Sequence, residues 1–233
     1  INKVKQDIIN YTSNNFYKNL YLVFLFFFFI MIFFTIGSSI DIYLSSIFYY
    51  GQSQFLLQSF YDITVFFRKI ILRLIVVYIF ILPIIATFLP IKQLYFNFNF
   101  KTREVIFFWV SGIINLILVN LIFKGLWGRA RPGDILELGG KENFTPWYML
   151  SNSCNNNCSF VSGDAAVGFS IILFYFVTKK EIFLWLSLIL GFALGLIRIM
   201  EGGHFVSDVI MAGFIIYLSY FLQSKYFLKR WLK

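Results

Sequence analysis

Six long apolar runs constrain this chain more than anything else in it. They cover residues 20–36, 74–89, 105–123, 160–177, 182–197 and 206–222. Each is near the length at which a helix crosses a bilayer's hydrocarbon core, about 20 residues. Inside that core no water satisfies the backbone, so a spanning segment must close its own hydrogen bonds. The runs therefore predict an all-α fold: a polytopic membrane helical bundle with about six transmembrane helices, forming one domain over residues 1–233. The second run is the least regular, because Arg73 precedes it and Pro83 lies inside it. The first is long and lacks a small-residue cleavage site, so a retained helix is expected rather than a signal peptide.

Composition excludes the main rivals. Hydrophobic residues make up 59% and charged residues 13% of the chain. A soluble domain has roughly 45–50% and about 25%. Disorder and an ordinary soluble globule are both ruled against. The net charge of +9 then fits membrane-flanking positions better than a nucleic-acid-binding face. With the N-terminus inside, twelve of the 20 Lys and Arg fall on the inner side. Lys92, Lys101, Lys229, Arg230 and Lys233 are among them. The outer eight are Arg68, Lys69, Arg73, Lys124, Arg129, Arg131, Lys141 and Arg198. The excess has the sign expected for both termini in the cytoplasm.

Three connections then lie outside. Residues 37–73 mix Tyr and Phe with polar residues, as either an interfacial helix or an aromatic-rich loop would. Residues 124–159 are the most polar part of the chain, and residues 198–205 are short. The only two cysteines, Cys154 and Cys158, sit in the second connection and are expected to form a disulfide in an oxidising compartment. A zinc centre would need both of them together with the only histidine, His204; no metal and no cofactor is expected.

Polar clusters stand at three helix ends, all on the outer face in this topology. Lys124 to Pro132 follows the third run, Ser162-Gly163-Asp164 opens the fourth, and Arg198 to Asp208 joins the last two. Lys124, Arg131 and Arg198 bring three positive charges to one side, and Arg offers forked donors that match phosphate oxygens. Ser162 and Gly163 begin a helix, where free backbone N–H groups favour an anion. Three cations without an anion would repel, although Glu201 or Asp134 could neutralise part of that charge. A neutral His204 can attack phosphorus. Asp208, four residues on, shares its helical face and can hold the ring's N–H. Phosphoryl transfer needs mainly positioning and charge neutralisation, which such a cluster supplies without a metal.

Singly, these residues have blander readings. Lys124 and Arg131 could anchor a helix end at headgroups. Ser162 could be a cap and Asp164 a helix N-terminal acid. Arg198 and Glu201 could be a surface pair, and His204 a structural interfacial histidine. Glu137, Glu142, Lys141, Arg129 and Trp127 could line a headgroup site or face water. Spacing and sidedness together favour one site.

The pattern resembles the type-2 phosphatidic acid phosphatase superfamily, with motifs Lys-x6-Arg-Pro, Pro-Ser-Gly-His and Ser-Arg-x5-His-x3-Asp. The first is complete as Lys124, Arg131 and Pro132. The third has Arg198, His204 and Asp208, with Ile197 in place of serine. The second departs twice, with Val161 for proline and Asp164 for histidine. Cys158-Ser159-Phe160-Val161-Ser162-Gly163-Asp164 is similar to the lipid A 4′-phosphatase branch of Gram-negative bacteria. The resemblance implies that Lys124, Arg131, Ser162, Gly163 and Arg198 bind phosphate. It also implies that His204 forms a phosphohistidine oriented by Asp208, and that Asp164 protonates the leaving oxygen. The implied partner is a phosphorylated membrane lipid, lipid A above all. The site would lie on the periplasmic face of the bacterial inner membrane. Undecaprenyl pyrophosphate or phosphatidylglycerol phosphate are the alternative substrates. A transporter or a catalytically inactive lipid-binding protein is the alternative of another class.

Overall fold

The computed structural model describes residues 2–52, 54–88 and 102–227. The chain is helical almost throughout those residues. Its helices are α1 (Asn2–Ile36), α2 (Ile40–Ser46), α3 (Tyr61–Phe88), α4 (Thr102–Ile117), α5 (Lys124–Leu126), α6 (Gly163–Phe169), α7 (Ile172–Thr178), α8 (Glu181–Met200) and α9 (Val206–Phe227). A π-helical segment, Leu118–Phe123, fuses α4 to α5. Every apolar run of the sequence falls on one or more of these helices. Among the described residues four segments are long and apolar enough to cross a membrane: Asn15–Ile36, Arg103–Leu126, Glu181–Met200 and Val206–Phe227. The other two runs differ for local reasons. The first half of α3 carries Arg68, Lys69 and Arg73. The fourth run is split into α6 and α7 at Ser170, whose hydroxyl donates back to the Ala166 carbonyl at 2.8 Å; such back-bonding bends a helix. Of the basic residues assigned to the inner side, Lys92, Lys101, Lys229, Arg230 and Lys233 lie outside the described residues.

Lipid tails are as apolar as leucine, so packing between membrane helices depends on close approach and shape. Glycines provide that approach here. A Cβ on Gly168 of α6 would come within 2.7 Å of the Gly191 backbone of α8. A Cβ on Gly191 would meet the Phe169 ring at 2.3 Å, and one on Gly195 would meet Val209 of α9 at 2.3 Å. The aromatic core around this seam includes Phe27, Phe169, Phe174 and Tyr217, all fully buried. Phe29, Phe33, Leu121 and Trp185 are exposed on outward faces, as a lipid-facing surface requires.

Residues 37–60 form neither a single interfacial helix nor a plain loop. They make α2, then a two-stranded hairpin of β1 (Tyr49–Gly51) and β2 (Gln54–Phe55). Phe55 anchors the hairpin in a small cluster with Ala130, Ile135, Leu138 and Phe205. That cluster draws the first and second connections over the N-terminal end of α9. Helix α3 also begins well before its apolar run, at Tyr61, and so carries Arg68 up to the same end of the bundle.

Candidate active site

The three polar clusters of the sequence meet where α5, α6, α8 and α9 end or begin. A Cβ on Gly163 would stand 3.4 Å from Lys124 Nζ. Arg198 Nε lies 3.5 Å from Asp164 Oδ2. The Ser162 amide donates to the Asp208 carbonyl at 3.3 Å, and the Gly203 amide donates to the Arg198 carbonyl at 2.9 Å. Gly203 has to be small, because a Cβ there would come within 2.4 Å of the Arg198 guanidinium. The Ser162 hydroxyl is buried and makes no hydrogen bond among the described residues.

Charge around this point is unevenly paired. Arg68 forms an ion pair with Asp164 and lies 3.7 Å from Glu201. Arg198 pairs with Glu201 three residues on. That pair is buried, unlike the surface pair its spacing alone allows, with Glu201 only 1% exposed at its side chain. Among the described residues Lys124 and Arg131 form no ion pair with a carboxylate; both bond to Asn157, at 3.2 Å from Lys124 and at 2.6 and 3.1 Å from Arg131. Burial and the facing Arg198 guanidinium lower the Arg131 pKa from its ordinary value. Four cations thus gather around the Asp164 and Glu201 carboxylates, with Asp134 also acting on Arg131, and positive charge stays in excess. A phosphate monoester carries up to two negative charges near neutral pH.

His204 is buried beside this cluster. Its Nδ1 lies 2.6 Å from the Ser159 carbonyl, an acceptor that can only take a proton. This fixes the tautomer and leaves Nε2 with its lone pair. Burial, and then Arg198, Lys124 and Arg131, hold the ring pKa well below its ordinary 6.5. The ring is therefore neutral at neutral pH, as a nucleophile must be.

Asp208 stands 3.9 Å from His204 Nδ1, so it does not hold the ring directly. Its carboxylate instead accepts from Arg129 Nη1 at 2.5 Å, from the Ser159 hydroxyl, and from the Phe205 amide at 2.9 Å. The link to the ring runs through Ser159, whose hydroxyl meets Asp208 and whose carbonyl meets His204.

Sequence reasoning missed several of these groups. Asp41 on α2 is buried and accepts from Arg129 Nη2 at 2.8 Å and from the Ser207 amide at 3.0 Å. Burial raises its pKa, against the pull of Arg129. Arg129 is fully buried and joins Asp41 to Asp208. Its guanidinium sits 4.2 Å from the Phe205 ring centre, and its Nε donates to the Thr145 carbonyl at 2.8 Å. Burial works against the Arg129 charge, but Asp208 and Asp41 outweigh it and raise the pKa. Arg68, one of the outer basic residues, is also missed, because its partner is Asp164 far along the chain. Cys154 and Cys158 form the expected disulfide.

Comparison with known proteins bears on this geometry. Residues 104–231 match the model of the PAP2 superfamily, over half of the chain. The chain belongs to the PAP2 superfamily. It is also similar to a lipid A 4′-phosphatase of Francisella tularensis subsp. novicida (strain U112), 38% identical over 133 residues, 53% of this chain and 58% of that protein. A lipid A 4′-phosphatase of Rhizobium leguminosarum is 34% identical over 99 residues, 41% of this chain and 42% of that protein. Another, of Rhizobium etli (strain ATCC 51251 / DSM 11541 / JCM 21823 / NBRC 15573 / CFN 42), is 36% identical over 97 residues, 40% of this chain and 38% of that protein. The chain thus spans between about two fifths and three fifths of the curated relatives it matches. No solved structure matches it. The PAP2 match contains all three motifs and all the residues that the sequence assigned to phosphate and catalysis.

Proposed function

We propose that this chain is a lipid phosphatase that removes a phosphate monoester from lipid A, at the 4′ position, through a phosphohistidine on His204. One observation carries the proposal: a buried imidazole, its Nδ1 on the Ser159 carbonyl, stands beside a cluster in which positive charge is in excess. In the proposed reaction Lys124, Arg131, Arg198, the Ser162 hydroxyl and the Gly163 amide take the phosphate oxygens. Nε2 of His204 attacks phosphorus in line with the sugar oxygen, and the phosphorus–oxygen bond breaks as the phosphorus–nitrogen bond forms. The ring becomes positive and keeps its Nδ1 proton on the Ser159 carbonyl, with Asp208 behind Ser159. Water then attacks phosphorus, giving a proton to the Asp164 carboxylate left by the first step; the phosphorus–nitrogen bond breaks, His204 leaves neutral and inorganic phosphate is released.

The leaving sugar oxygen needs a proton, and Asp164 is the carboxyl in position to give it. Its carboxylate pairs with Arg68 and lies 3.5 Å from Arg198 Nε, within the same cluster that would take the phosphate. The relatives named lipid A 4′-phosphatase support the choice of substrate. The disulfide in the connection that carries the cluster supports an oxidising compartment, hence a periplasmic site in the inner membrane and cytoplasmic termini.

The test is phosphate release from lipid A by purified wild-type and His204→Ala protein in the same detergent, with mass analysis of the lipid product. Wild-type protein should release one phosphate, and the variant should lose on the order of 10³-fold or more in kcat. Turnover by the variant at the wild-type rate rejects His204 as nucleophile.

A further inference from the structure

The short ring closed by Cys154 and Cys158 has no role in the chemistry above, yet it touches both halves of the site. Asn157 lies inside it, exposed, with φ of +52°. That left-handed backbone is one that Asn and Gly adopt more readily than other residues. The Asn157 carbonyl accepts from Arg131 Nε at 3.1 Å and from Nη2 at 2.6 Å. Its side-chain Oδ1 accepts from Lys124 Nζ at 3.2 Å. Arg131 Nη1 makes no hydrogen bond among the described residues and stays available to a ligand. Two positions further on, the Ser159 amide donates to the Arg129 carbonyl at 2.9 Å and the Ser159 carbonyl meets His204. Gly128 lets the connection settle this closely, since a Cβ there would lie 1.8 Å from the Ser151 carbonyl oxygen.

From this arrangement we infer that Asn157 is a positioning residue for the phosphate cradle, held in register by the Cys154–Cys158 ring. The inference rests on the phosphate-binding role proposed above for Lys124 and Arg131. Two cations brought together for one anion repel until it arrives. A carboxylate between them would hold them but would cancel the charge meant for phosphate. The neutral oxygens of Asn157 hold them and leave the charge in place. The long connection between α5 and α6 would otherwise let residue 157 sample many conformations. The disulfide removes most of that freedom around the one residue that spans both cations.

The experiment titrates inorganic phosphate into the full chain in detergent by calorimetry and measures KM and kcat for lipid A on the same preparations. Asn157→Ala keeps a carbonyl but strains the left-handed backbone. Asn157→Gly keeps both the carbonyl and the backbone. Loss of a hydrogen bond to a charged group weakens binding about tenfold or more. Asn157→Ala and the double variant Cys154→Ser/Cys158→Ser should each weaken phosphate by about that factor and raise KM more than they lower kcat. Asn157→Gly should bind phosphate better than Asn157→Ala, because its left-handed backbone is unstrained and its loss is confined to the longer bond to Lys124. Asn157→Asp should bind phosphate worst. A general loss of folding would lower kcat and KM performance alike and would not be rescued by glycine. Wild-type phosphate affinity in both Asn157→Ala and the serine variant overturns the inference, as does a glycine variant no better than alanine. If wild-type protein itself does not bind phosphate, the cradle is wrong and this inference falls with it; normal wild-type binding with unaffected variants rejects the inference alone.

Discussion

Two arginine-centred regions lie side by side at one end of this molecule, and they differ in how their charge is settled. Arg129 is fully buried between Asp41 and Asp208, with further bonds to Ser207 and the Thr145 carbonyl. Its surroundings meet its charge and most of its donors. The neighbouring group of Arg68, Lys124, Arg131 and Arg198 shares two carboxylates and keeps an excess of positive charge. A buried cation that is fully paired is a strut, whereas a cluster left under-paired suits the anion-binding role proposed for it. The same residue type therefore does two jobs, and only the partners tell which.

The largest expected contrast breaks this comparison directly. Arg129→Ala leaves Asp41 and Asp208 buried without their shared cation, and removing one member of a buried ion network costs about 3–5 kcal/mol. Thermal unfolding in detergent should show that loss, and expression of folded protein should fall. Arg198→Ala leaves Asp164 and Glu201 still facing Arg68. It should unfold close to wild type while losing on the order of 10²–10³-fold in kcat/KM, the scale for removing one donor to developing charge. If the two variants exchange these phenotypes, the assignment of strut and cradle is reversed.

An effect of similar size is expected at Asp164, and it sharpens what the cradle does beyond holding charge. If Asp164 protonates the leaving oxygen, Asp164→Asn should slow lipid A by about 10²–10⁴-fold. An aryl phosphate, whose leaving group needs no proton, should slow far less. Equal slowing of both would confine Asp164 to holding Arg68 and Arg198.

How far the site could be read in advance follows from the same comparison. The bundle was legible because apolar length in a bilayer dictates helices, and every run falls largely on helix, the fourth on two. Lys124, Arg131, Ser162, Gly163, Arg198, His204 and Asp208 were legible because the spacing within each motif places them at helix ends. Arg129 was visible in the sequence two residues from Arg131, yet nothing local distinguishes a strut from a ligand. Its carboxylate partners are 88 and 79 residues away, and Asp41 comes from a short helix beyond any motif. Arg68 was hidden for the same reason, since its partner Asp164 is 96 residues distant. The direct contact expected from Asp208 to His204 follows helical spacing. It is displaced because His204 precedes α9, and the loop puts the Ser159 carbonyl nearer to the ring.

A smaller effect tests the scaffold beneath the site. Gly191 faces Phe169 so closely that a methyl group would stand 2.3 Å from the ring. Gly191→Ala should destabilise the α6–α8 seam by about 1–3 kcal/mol, the usual cost of overpacking. Because α6 carries Ser162–Asp164 at its start and α8 carries Arg198 at its end, activity should decline in step with stability. An alanine variant as stable as wild type would mean that the seam is not tightly packed.

The subtlest prediction concerns protons. In the proposed reaction His204 must be neutral to attack, and burial with Arg198, Lys124 and Arg131 keeps its pKa well below 6.5. The acid limb of kcat/KM should therefore lie below pH 6.5. Removing one nearby cation relaxes that depression, so Arg131→Gln should move the limb upward, toward 6.5. The same shift has a consequence for stability. The unfolded ring binds a proton below about pH 6.5 while the folded one resists it. Stability from this group is thus present above that pH and is lost as pH falls toward the folded pKa. A wild-type acid limb at or above 6.5 would show that the cluster does not act on the imidazole. A limb below 6.5 that Arg131→Gln leaves unmoved would assign the depression to burial alone. The under-paired cations would then serve phosphate without tuning the nucleophile, and the contrast with Arg129 would narrow to ligand binding.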